Sequence, residues 1–66
     1  METFTDKAKQ LLRESSLTYR QVGERMGFDS RFARQSVYRF IHGNNPSAAM
    51  VRRFASALEV DAGELL

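Results

Sequence analysis

Val51, Phe54, Ala55 and Leu58 recur at i, i+3, i+4 and i+7, while no stretch of useful length alternates apolar and polar residues. The first pattern gathers apolar side chains along one side of an α-helix; a half-buried strand needs the second. Helical spacing returns in Phe4, Ala8, Leu11 and Leu12, and again in Val37, Phe40 and Ile41. An all-α chain follows, made of short amphipathic helices that bury their stripes against one another. With 66 residues and no cysteine, neither a disulfide nor a thiolate metal site can reinforce it. One domain with a single small apolar core is therefore expected over residues 1–66.

Local signals set the helix limits. The first helix is expected from about Phe4 to Ser15, capped by Thr3 or Thr5, with Asp6 favourably placed in its first turn. Leu17 then plugs the core from a short break. Thr18-Tyr19-Arg20-Gln21 is a capping box, in which the Thr hydroxyl and the Gln amide satisfy two free backbone N–H groups reciprocally. Val22 and Met26 face inward, and Gly27 ends this second helix because it tolerates the left-handed conformation. Gly23 costs up to about 1 kcal/mol relative to Ala within a helix, so close packing against a neighbour is expected there. The core-facing part of the third helix runs from about Arg34 to His42, with Gln35, Tyr38 and Arg39 pointing away from its apolar stripe. Gly43 stops it, Asn44-Asn45-Pro46 makes a turn, and Ser47 caps the fourth helix. After Val60, Asp61 caps a last short turn that ends in Leu65 and Leu66, giving five short helices in all.

The charge is unevenly divided. Seven arginines (20, 25, 31, 34, 39, 52 and 53) lie between Thr18 and Arg53 against only Glu24 and Asp29, although the whole chain carries a net charge of just +2. Guanidinium groups suit bidentate contact with phosphates and guanine edges, so a polyanionic partner is favoured over a merely solvated surface. An enzyme is not expected. The chain has no cysteine nucleophile, its one histidine, His42, has no Ser–Asp partnership suggested by spacing, and no phosphate-binding glycine loop occurs. His42 reads as a polar residue at a helix C-terminus rather than a metal ligand. No run approaches the length of a membrane span, and METFTDK lacks a signal-peptide apolar block. A cytoplasmic, nucleoid-associated protein without cofactor, metal or small-molecule ligand is expected.

Taken in order, LTYRQVGERMGF, SVYRFIHGNNPS and VRRFASALEV resemble the helix-turn-helix family of phage repressors and Cro proteins, the XRE family. Val22-Gly23 stands where that family has Leu-Ala, Gly27 for its turn glycine, and Ser36-Val37 through Gly43 for its recognition helix. Pro46-Ser47 and Ala57-Leu58-Glu59-Val60 complete a likeness spanning roughly residues 8 to 66. The resemblance implies a lambda-repressor-like bundle with the helix-turn-helix at the second and third helices. It directs Arg34, Gln35, Tyr38 and Arg39 towards base edges, with Tyr38 balanced between DNA contact and covering the core edge. Phosphate contacts would come from Thr18, Tyr19, Arg20, Asn44, Asn45 and Ser47. Arg52 and Arg53 are ambiguous between backbone contact and solvation. In place of the family's phosphate-touching Gln the chain has Tyr19, and in place of a frequent Arg–Glu ion pair it has Leu12 and Ile41. An apolar pair is a sound substitute, because replacing a buried ion pair by packed hydrophobes is often neutral or stabilising.

The main departure is GFDSRFARQSVYRFIHG, which holds about four residues more than the family pattern between Gly27 and Gly43. Two arrangements are open. Asp29 or Ser30 caps the third helix early, so that it runs from about 30 to 42. Arg31 and Phe32 then project beside Gln35 and Arg39, Arg31 towards bases and Phe32 free to meet a thymine methyl or a partner. Alternatively the turn is longer, Phe32 folds into the core, and Arg31 is left to a phosphate. Four residues is close to one helical turn, which preserves the facing and favours the extension. The function expected is that of a sequence-specific double-stranded DNA-binding transcriptional regulator of phage, plasmid or bacterial type. Its third helix would lie in the major groove and the protein would bind an inverted repeat as a homodimer. The exposed end from Val60 to Leu66 is the expected self-association surface, the alternative being that it packs into its own core. The rivals are an architectural or excision factor, and a protein-interaction module of antitoxin or anti-repressor type.

Overall fold

A computed structural model describes residues 3–43 and 46–65. The described residues form four α-helices, α1 (Phe4–Ser15), α2 (Tyr19–Arg25), α3 (Ala33–His42) and α4 (Ala48–Leu58), followed by a 3-10 turn at Ala62–Glu64. Four helices and one turn thus replace the five helices expected. Asp61 does cap the last element, accepting from the Gly63 N–H at 2.9 Å, but the three residues that follow close only a single 3-10 turn.

The helix starts follow from local hydrogen bonding. Thr3 caps α1 in a reciprocal box with Asp6, Thr18 caps α2 in one with Gln21, and Ser47 accepts from the Met50 N–H. Thr5, the other candidate cap, donates its hydroxyl to the Ile41 carbonyl at 2.7 Å and so ties α1 to the end of α3. At the end of α2, Gly27 takes φ +100°, and the Phe28 and Gly27 N–H groups donate to the Gly23 and Glu24 carbonyls. This 6→1, 5→2 pair is the Schellman arrangement, and the positive φ explains the glycine.

Ala8 and Leu12 of α1, Val22 of α2, Met26 just after it, Val37 and Ile41 of α3, and Phe54, Ala57 and Leu58 of α4 make one buried cluster. No polar or charged residue is buried among the described residues, so burying apolar surface carries the stability. Leu12 and Ile41 both lie within this cluster. Phe40 bridges α1 and α4, its ring 5.4 Å from Phe4 and 5.4 Å from Phe54. Arg25 donates to the Ala57 carbonyl at 3.1 Å, which satisfies an end carbonyl of α4 and occupies one of the seven arginines structurally. Val60 and Leu65, expected in an exposed end, are half-buried against the core. Leu66 lies outside the described residues.

The tightest approach is between α2 and α3. A Cβ added at Gly23 would lie 2.5 Å from the Ala33 carbonyl oxygen and 2.7 Å from the Ala33 Cβ. The mid-helix glycine is there because α3 begins against it.

Candidate nucleic-acid interface

The start of α3 corrects the favoured expectation of a helix from about 30. The first helical residue is Ala33, and Asp29 closes a turn instead. Its carboxylate accepts from the Arg31 N–H at 2.9 Å, and its carbonyl accepts from the Phe32 N–H at 2.9 Å. A side chain that takes a nearby backbone donor in this way competes with helix formation, while Ala33 is held against Gly23. The turn is therefore the longer one. Phe32 nevertheless does not enter the core: it is 55% exposed, with the Arg31 guanidinium 5.6 Å from its ring centroid. Each of the two arrangements read from the sequence is right in one half.

Asp29 is held below the ordinary carboxylate range, first by the Arg31 backbone N–H and then by the Arg31 guanidinium, whose Nε lies 3.4 Å away. A depressed pKa means that the ionised form supports the fold above the unfolded-state pKa, and that this support is lost as pH falls through the folded-state value. An NMR titration of the Asp29 carboxyl should find a midpoint below that of an unstructured Asp. A midpoint at or above it would exclude the turn.

On α3, Ala33, Val37 and Ile41 are buried, and with about 100° between successive residues the side opposite them is exposed. That outer face carries Gln35, Tyr38, Arg39 and His42, with Arg34 on one flank. Tyr38 is 54% exposed and so does not cover the core edge. Its ring stacks on His42 one turn later, the centroids 4.3 Å apart. The i,i+4 spacing of Tyr38 and His42 was available in the sequence as a signal for this contact, which sequence reasoning missed. Arg34 and Arg39 form no ion pair among the described residues.

Thr18 at the N-cap of α2, with Tyr19 and Arg20 in its first turn, meets Arg31, Arg34, Gln35 and Tyr38 around one open concavity of about 850 Å³. Seven of the expected contact residues thus converge. Arg39 and Ser47 do not join them; they line a second concavity on the other flank of α3, with Phe28, Ser36, Phe40, Gly43, Pro46 and Met50. The outer face of α3 is a ridge between two grooves. Asn44 and Asn45 lie outside the described residues. Arg20 is paired with Glu24 at 3.0 Å, but both side chains are largely exposed. A pair of this spacing contributes only about 0.3–0.5 kcal/mol, so a phosphate can take the guanidinium from it. Arg52 and Arg53 are exposed on α4.

The arrangement offers exposed donors and cations along one ridge. No group of three or more His, Cys, Asp or Glu side chains is placed to hold a metal ion among the described residues. None of the described helices is long and apolar enough to cross a membrane. Comparison of the chain with known protein families, curated proteins and solved structures finds no match.

Proposed function

We propose that the chain is a sequence-specific double-stranded DNA-binding regulator that lays the outer face of α3 in the major groove. The observation that carries this reading is the convergence of Arg34, Gln35 and Tyr38 with Thr18, Tyr19 and Arg20 beside one exposed ridge. An α-helix is about 10–12 Å across with its side chains and so fits a major groove about 12 Å wide, and the 10 residues of α3 run for about 15 Å. Arginine can pair with guanine O6 and N7, and glutamine with adenine N6 and N7. Thr18, Tyr19 and Arg20 would contact phosphates on one side of the ridge, and Ser47 on the other, fixing register without reading sequence. The resemblance to phage repressors and Cro proteins supports the same orientation. One such ridge covers only a half-site, which favours two copies on an inverted repeat.

Selection from random duplexes tests the proposal. A defined site should emerge, and log K for it should fall with log salt by about 0.9 per phosphate contacted. The double substitution Gln35→Ala and Arg39→Ala should cost about 1–3 kcal/mol of discrimination per lost pair and leave the thermal midpoint almost unmoved. Full discrimination in that variant would show that α3 is not the reading element. A protein-interaction module would instead give no selected duplex and a shallow salt slope.

A further inference from the structure

We propose that the turn 29–32 is a second reading element, in which Phe32 contacts the C5-methyl of a thymine next to the base pairs read by α3. The inference rests on the DNA-binding reading above. Phe32 and Tyr38 are the two large apolar side chains left exposed among the described residues. Phe32 stands at the N-cap of α3, and its carbonyl accepts from the Ser36 N–H at 2.8 Å, so the backbone that carries the ring is held at the leading end of the helix. The backbone behind it is locked by the two bonds to Asp29. Arg31, whose guanidinium lies 5.6 Å from the ring centroid, also lines the concavity shared with Gln35 and Tyr38. The ring is therefore an exposed apolar spot beside a cationic, hydrogen-bonding surface that Arg31 joins. In the major groove the apolar group that distinguishes one base is the thymine methyl, and a side chain at the entering end of a reading helix lies close to the base edges.

The experiment uses the full chain and the duplex obtained by selection, with each thymine replaced in turn by uracil, which removes only the methyl. At one position the unmodified protein should lose about fourfold in affinity, equivalent to about 0.8 kcal/mol for one buried methyl at 1.4 kcal/mol per tenfold. Phe32→Ala should bind the thymine and uracil duplexes equally, with an unchanged thermal midpoint, while Phe32→Leu should keep part of the difference. Arg34→Ala should weaken both duplexes and preserve the difference. Absence of any sensitive position, or equal sensitivity in Phe32→Ala, overturns the proposal while leaving DNA reading by α3 intact. A change of sedimentation in Phe32→Ala with the uracil effect retained overturns it in favour of a contact between copies. Failure of selection to yield any site overturns the DNA-binding reading, and this inference with it.

Discussion

Phe54→Ala should leave the chain barely folded at 25 °C. Phe54 is 0% exposed and is the largest fully buried side chain described. Its ring packs against Phe40, which in turn meets Phe4, so one truncation loosens contacts reaching from α4 through α3 to α1. Removing a buried Phe costs about 3–5 kcal/mol, part in lost burial and part in the cavity left behind. A domain of 66 residues has about 3–10 kcal/mol to lose at 0.05–0.15 kcal/mol per residue. The loss is therefore comparable with the whole stability. Urea unfolding followed by circular dichroism measures it, with Phe54→Leu as a milder control that retains most of the volume. A loss below about 1.5 kcal/mol for Phe54→Ala would place Phe54 outside the centre of the core.

Gly23→Ala sets two principles against each other, and the structure determines which wins. Helix propensity alone favours alanine by about 1 kcal/mol. Here the added Cβ would sit 2.5 Å from the Ala33 carbonyl oxygen and 2.7 Å from its carbonyl carbon, which are backbone atoms and cannot rotate aside. Relief requires the start of α3 to move outward, and overpacking of this kind costs about 1–3 kcal/mol. The net expectation is a loss of up to about 2 kcal/mol, visible as a lower urea midpoint. Ala33→Gly in the same chain should restore only part of it, because it removes the Cβ contact and leaves the carbonyl. A rise in the midpoint on Gly23→Ala would mean that α2 and α3 do not approach this closely. Because the same contact fixes where α3 begins, the substitution should also weaken DNA binding in the proposed reading.

The site was legible in proportion to how local its causes are. Gln35, Tyr38 and Arg39 could be assigned to an outer face because Val37 and Ile41 define the inner one. The grouping of Thr18, Tyr19 and Arg20 with that face depends on α2 crossing α3, which no spacing within either segment specifies. Arg39, expected at base edges, and Ser47, expected at a phosphate, both line the concavity on the other flank of α3. Arginine count was likewise an imperfect guide: Arg25 is occupied by the Ala57 carbonyl.

The sequence by itself left the α1 cap open between Thr3 and Thr5, but it determined the all-helical class, the limits of α1, the capping box at Thr18, the stop at Gly27 and the cap at Ser47. Each of these is a hydrogen bond or a backbone dihedral settled within about four residues, so its cause is written beside its effect. Only the tertiary structure decided that α3 begins at Ala33, that Phe32 stays in solvent, and that Val60 and Leu65 fold onto the core. Those outcomes turn on which space the other helices already occupy. Gly23 admits Ala33 and nothing larger than its own hydrogen at that contact, and this approach acts together with the Asp29 turn ahead of the ridge.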